Sequence, residues 1–131
     1  MEDVVRIVIA AALLVACQVF PAKAAGTGDG PMFPSELHGV WDAYPWPCVD
    51  DGPSDSDMRF AIDGNVRGNY EDIDTLVSIE EIATAPRTWR VVATTSLDPT
   101  DVEGDARIYV LQGNTLAVTD GRRADVYVRC R

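Results

Sequence analysis

Turn-forming residues punctuate this chain so often that long helices have little room. From Glu36 to the carboxyl end the chain meets Pro45, Pro47, Gly52-Pro53, Asp63-Gly64, Pro86, Asp98-Pro99, Gly113-Asn114 and Asp120-Gly121. Each of these fixes φ, removes a backbone donor or supplies the positive φ of a tight turn. Between them the side chains alternate with the period of a strand. Met58, Phe60 and Ile62 alternate with Arg59, Ala61 and Asp63, and Trp89, Val91, Ala93, Thr95 and Leu97 share one face of a later run. The pattern predicts strands over residues 37–44, 58–63, 66–71, 72–84, 88–97, 107–112, 115–119 and 124–130. The 72–84 stretch fits two periods, because Ile73, Leu76, Val77 and Ile79 match a helical spacing as loosely as a β one. Its content of Thr, Val and Ile favours strand.

Seven or eight short strands joined mainly by tight turns describe an all-β antiparallel meander. Closing such a sheet into a small β-barrel removes both edges, and eight strands enclose a space that side chains fill or that holds one small ligand. A β-sandwich is the alternative. The domain is short for a barrel with a large cavity, so a mostly filled interior is expected.

The amino-terminal residues read as an export signal. MEDVVR leads into IVIAAALLVACQVF, an apolar run too short to span a bilayer as a stable helix, and then into Ala22-Lys23-Ala24, the small-x-small pattern of a signal-peptidase site. The division is therefore a signal peptide over 1–24, a flexible Gly- and Pro-rich linker over 25–35 and a β-barrel domain over 36–131. Leu14-Val15-Ala16-Cys17 resembles a bacterial lipobox, so the alternative mature form is a lipoprotein anchored through Cys17. Export predicts a periplasmic or secreted protein with no membrane insertion once the signal is gone. In an oxidising space Cys48 and Cys130 are the two remaining cysteines, and a bridge between them would close nearly the whole domain into one loop.

Charge narrows the partners. Cleavage after Ala24 leaves nineteen Asp and Glu against nine Arg and no Lys, a net charge of −10. Each phosphate contact would then form against the field of the whole molecule, which disfavours nucleic acid and anionic lipid and leaves an unknown protein or a small ligand.

Catalytic patterns are lacking. There is no G-x-S-x-G elbow, no H-E-x-x-H pair and no phosphate-binding glycine loop. The sole histidine, His38, sits on the polar side of the first expected strand. Carboxylate pairs cannot be singled out among so many acids. A calcium loop starting at Asp55 would place Arg59 at its fifth position and Val66 at its twelfth, and in "DPTDVEGDA" Ala106 stands where the turn glycine should. The expectation is no enzyme, no cofactor and no metal.

The richest stretch is "LHGVWDAYPWPC", residues 37–48. Gly39-Val40-Trp41 resembles the G-x-W signature of the first strand in lipocalin-like barrels. The resemblance implies that Trp41 packs across a closed end, that Gly39 lets the strand bend and that Arg129 of the last strand covers the indole through a cation-π contact. Export, the G-x-W strand and one disulfide are also similar to small envelope β-barrel protease inhibitors, whose free amino-terminal arm would here be residues 25–35. An acidic barrel is similar in charge and size to bacterial lysozyme inhibitors. Tyr44 and Trp46, flanked by prolines, are candidate partner-binding aromatics; the other reading has Trp46 capping the barrel and packing on the bridge. The functional expectation is a non-catalytic binding module of the bacterial envelope, with an inhibitor of a protease or lysozyme, or a small-molecule carrier of lipocalin type, as alternatives.

Overall fold

Eight strands follow one another around a closed ring: β1 (Gly39–Ala43), β2 (Phe60–Asp63), β3 (Val66–Gly68), β4 (Ile73–Thr84), β5 (Arg87–Thr95), β6 (Asp105–Gln112), β7 (Thr115–Thr119) and β8 (Ala124–Arg129). Every neighbouring pair is antiparallel, and β8 pairs with β1 through Trp41↔Arg129 and Ala43↔Tyr127. The fold is thus a small antiparallel β-barrel and not an open sandwich. The computed structural model describes residues 30–45, 48–49, 52, 54–98 and 100–131. The expected signal peptide, Cys17, linker residues 25–29 and Trp46 lie outside the described residues.

Local chemistry accounts for the hairpins. Asp63 pairs with Val66 across a two-residue turn in which Gly64 takes φ 57°, and Gln112 pairs with Thr115 across Gly113 at φ 59°, the left-handed conformation such turns require. The β4 strand explains its own ambiguity. Its register with β5 shifts between Leu76 and Ser78 and again between Glu81 and Ala83. A bulge at Val77 inserts one residue, so the inward positions run Asp74, Leu76 and then Ile79. That spacing of three imitates a helical period in a strand.

Several boundaries differ from expectation. Leu37 belongs to a 3-10 turn (Ser35–Leu37) and not to β1, with its N–H on the Pro34 carbonyl at 2.9 Å. The β3 strand stops at Gly68 because the Asn69 N–H bonds the Asp72 carbonyl and turns the chain. The β5 strand stops at Thr95, leaving Leu97 exposed. The end of the expected flexible linker is docked. Phe33 is buried among core side chains, its N–H bonds the Gly64 carbonyl at 2.9 Å, and the His38 imidazole donates Nε2–H to the Phe33 carbonyl at 3.0 Å. An aromatic ring that can cover an open barrel end gains more than a solvated tail would.

The two ends of the barrel are built differently. The turns at 64–65, 85–86 and 113–114 and the 3-10 turn lie at one end; the longer loops 44–59, 69–72, 96–104 and 120–123 lie at the other. Trp41, Trp89, Tyr109, Phe60, Leu37, Ile62, Leu116 and Val91 are fully buried and fill the interior.

Cys48 and Cys130 form the predicted disulfide, their Cα atoms 4.8 Å apart across a sequence separation of 82. Such a bridge is compatible with an oxidising location. The described residues that follow, Gly52 and 54–59, form a strap over the outer face of β1. The Cys130 N–H bonds the Val40 carbonyl at 2.9 Å, and the Arg131 N–H bonds the Cys48 carbonyl at 3.2 Å. Farther along, the buried Asp42 carboxylate accepts from the Ala43 N–H at 2.8 Å, from Arg59 Nε at 3.1 Å and from the Ser56 hydroxyl. Arg59 Nη1 donates to the Gly52 carbonyl at 3.0 Å. Burial opposes the charge of Asp42, but the Ser56, Ala43 and Arg59 donors outweigh it and hold the carboxyl below its ordinary range.

Candidate functional site: the open end of the barrel

The residues singled out by the G-x-W pattern build the closed end. Trp41 is fully buried and its Nε1–H donates to the Leu37 carbonyl at 3.0 Å. The Arg129 guanidinium lies 4.2 Å from the indole centroid and donates to the carbonyls of Glu36 and His38. It thereby satisfies acceptors that the 3-10 turn leaves free. Gly39 stands at φ +119°, and a Cβ there would come within 3.1 Å of Arg129 Nη1. Glycine is needed for the backbone and for the passage of the guanidinium. Gly39, Trp41 and Arg129 thus form one plug, tied to the 3-10 turn through the carbonyls of Glu36, Leu37 and His38. Tyr44 is exposed, its N–H bonded to the Val126 carbonyl at 2.9 Å; Trp46, its suggested companion, lies outside the described residues.

The acidic loops are occupied by their own backbone. Asp98 accepts from the N–H and hydroxyl of Thr100, Asp101 from the Gly104 N–H, and Asp120 from the N–H groups of Arg122 and Arg123. These are self-capped turns. Gly104 (φ +75°) is the point where the 96–104 loop touches β5, since a Cβ there would fall 2.6 Å from the Ala93 carbonyl. Among the described residues no three His, Cys, Asp or Glu side chains converge as a metal site.

Polar side chains converge at the opposite end. Arg67 of β3 points into the barrel and is only 8% exposed. Its guanidinium lies 3.8 Å from the Phe60 ring centroid, with Nη1 donating to the Tyr109 hydroxyl at 2.8 Å and Nε to Asn69 Oδ1 at 2.8 Å. Asn69 Nδ2 donates in turn to Asp74 Oδ2 at 3.2 Å, and Arg107 Nη1 donates to the same oxygen at 3.0 Å. Burial works against the Arg107 charge, yet the Asp74 carboxylate beside it raises its pKa above the ordinary value. Tyr127 packs edge-on against Phe60 with centroids 4.8 Å apart. Burial raises its phenol pKa, more than the nearby Arg67 lowers it, so the hydroxyl stays neutral and able to donate.

Above this floor lies a depression of about 230 Å³ walled by Arg67, Arg107, Val118, Asp120, Arg123, Asp125 and Tyr127. A second, of about 260 Å³, shares the three arginines, Asp125 and Tyr127 and adds Asp57, Met58, Arg59, Asn69 and Asp72. At the rim Arg123 and Asp125 pair with each other at 2.8 Å. Two further depressions lie beside Tyr70, one of about 290 Å³ toward Glu71 and Leu97 and one of about 380 Å³ on the outer face between Ser54, Arg59 and Gly68.

None of the floor residues belongs to the sites expected from sequence. One signal was nevertheless present. Ile62 lies on the apolar face of the 58–63 run, and a tight turn after Asp63 sets it opposite Arg67. Cross-strand partners share a face, so an inward-pointing arginine was implied. The gathering of Asp74, Arg107 and Tyr127 around it depends on the other strands of the ring and had no local signature. No protein-family model, no curated protein and no solved structure matches this chain.

Proposed function

We propose that this protein is a non-catalytic binding module of the bacterial envelope that receives its ligand at the open end of the barrel. Export rests on the amino-terminal pattern of residues 1–24, with anchoring through Cys17 as the alternative mature form, and the Cys48–Cys130 bridge agrees with an oxidising space. The observation that carries the reading is the asymmetry of the ends. One end is sealed by Phe33, Leu37, Trp41 and Arg129; the other exposes a recess floored by ionisable side chains held within an apolar barrel. Buried polar networks of this kind cost stability relative to apolar packing, and a ligand-binding role explains their position at a mouth.

The filled interior speaks against a lipocalin-type carrier for a lipophilic molecule, which needs an apolar cavity of a few hundred Å³. The inhibitor reading keeps the charge argument, a barrel of net charge −10 suiting a basic enzyme. Its arm test must respect the docking of Phe33. Deleting residues 25–30 leaves the seal intact, whereas deleting 25–35 removes it.

Two measurements test the proposal. The intact mass of the mature protein from its native host should show Ala25 or a lipidated Cys17 as first residue; retention of residues 1–16 would end the envelope assignment. In 15N NMR, the small-molecule fraction of an envelope extract should shift resonances of Arg67, Asn69, Arg107 and Tyr127. Shifts confined to other faces, or inhibition of a protease or lysozyme abolished by the 25–30 deletion, would move the function away from the mouth.

A further inference from the structure

We infer that the floor of the mouth is a binding site for a small oxyanion, a carboxylate or phosphate-type head group held by Arg67 with Arg107 and Tyr127 beside it. The inference rests on the mouth being the ligand-binding end and names the chemistry it takes.

Arg67 is a cation more than nine-tenths buried whose hydrogen-bond partners, Tyr109, Asn69 and the nearby Tyr127, are all neutral. Among the described residues no carboxylate lies within ion-pair distance of it. Asp74 is its register partner across β3 and β4, but the Asp74 carboxylate is taken by Arg107 and by the amide of Asn69. At the rim Arg123 and Asp125 cancel each other. Asp120 on the wall accepts from the backbone N–H groups of Arg122 and Arg123, so the carboxylates around the recess are engaged elsewhere and Arg67 is the cation left without one.

A buried charge without a counter-charge is among the costlier features a core can keep. The Phe60 ring offsets part of the cost on one face of the guanidinium. An anion entering from the mouth would supply the missing partner. The planar fork of arginine suits the paired oxygens of a carboxylate or phosphate, and the neutral Tyr127 phenol offers one more donor. A recess of about 230 Å³ has the volume of several water molecules at about 30 Å³ each, enough for a head group with a short tail.

The experiment uses three probes of one shape and different charge: benzoate, benzamide and benzamidine. Inorganic phosphate is the second oxyanion, and binding is followed by calorimetry and 15N NMR on the disulfide-bonded protein. Benzoate or phosphate is expected to shift Arg67 Nε and the amides of Arg67, Asn69 and Tyr127, and to bind at least tenfold more tightly than benzamide; benzamidine should not bind at the mouth. Preference between benzoate and phosphate identifies the head group.

Arg67→Leu should abolish the binding, with a modest fall in the denaturation midpoint from the Tyr109 hydroxyl and Asn69 amide that lose their donor. Arg67→Lys should weaken it, and Arg90→Gln, on the exposed side of β5, should leave it alone. If Arg67→Leu fails to give a dispersed spectrum, Tyr127→Phe carries the test, with a several-fold loss expected. Benzamide or benzamidine binding at the mouth as tightly as benzoate overturns the oxyanion assignment and leaves the mouth as the ligand site. A sharp fall in the Arg67→Leu midpoint with benzoate binding intact assigns Arg67 to construction and also overturns it. If no probe perturbs the mouth and extract-induced shifts map elsewhere, both readings fall.

Discussion

At the scale of single residues, two positions show how little freedom the chain keeps. Gly39 combines a positive φ with a passage for the Arg129 guanidinium. Gly39→Ala is expected to cost about 1–3 kcal/mol, from backbone strain and from displacing a hydrogen-bonded cation. Urea denaturation of the two proteins measures this, and an unchanged midpoint would show that the turn relaxes at no cost. Asp42 carries a pH signature. Its folded pKa lies below the ordinary carboxylate value, so its contribution is full above the unfolded pKa and is lost as pH falls through the folded one. Acidification below about pH 4 should therefore destabilise the native protein more steeply than the Asp42→Asn variant. Parallel stability curves would remove Asp42 from the account. Arg67 differs from both positions. Its guanidinium holds Tyr109 and Asn69 and stacks on Phe60 but meets no carboxylate among the described residues, which is why its test joins binding to stability.

At the scale of elements, the seam between β1 and β8 and the strap across it form one unit. Both strands are short, Gly39–Ala43 and Ala124–Arg129, and the disulfide ties the segment after β1 to the residue after β8. Chain-entropy reasoning for a loop of this size gives about 4–5 kcal/mol of stabilisation. Cys48→Ala/Cys130→Ala is predicted to lose most of it, with the amides of Ala43, Tyr44 and Cys130 exchanging with solvent earlier than those of β5 and β6. Hydrogen exchange followed residue by residue would show this order. Uniform acceleration around the ring would mean that the seam is not the weak point. The bulge in β4 belongs to the same scale. It turns Ile79 toward the core after Val77 has been left outside, and so allows a strand of twelve residues to follow a curved wall.

For the whole molecule, charge and closure pull in different directions. A net charge of −10 repels itself most strongly in the compact state, whereas the pairs of Arg87 with Glu36 and Glu81, and of Arg123 with Asp125, are exposed and contribute little against it. Screening contracts from about 30 Å at 0.01 M salt to about 10 Å at 0.1 M. It should therefore relieve more repulsion than it removes attraction, and the urea midpoint is predicted to rise with sodium chloride over that range. A falling midpoint would mean that the ion pairs outweigh the net charge. Closure of the ring supplies what a chain this short otherwise lacks: no unpaired strand edge, and an interior shared by all eight strands.

The order of residues along the chain reveals the eight strands and their limits at the Gly64 and Gly113 turns, because alternation and turn chemistry are properties of near neighbours. Cys48 and Cys130 are the two cysteines beyond residue 24, and the roles of Gly39, Trp41 and Arg129 came from the resemblance of the G-x-W stretch to lipocalin-like barrels. The closed ring sets the rest: Phe33 sealing the closed end, Ser54, Ser56 and Arg59 gathered on Asp42, and Arg67, Asp74, Arg107 and Tyr127 meeting at the open end. Those four come from β3, β4, β6 and β8. Their meeting depends on the register of every pair around the ring, including the shift at Val77, and a shift of one residue in any pair would turn a side chain from the interior to solvent.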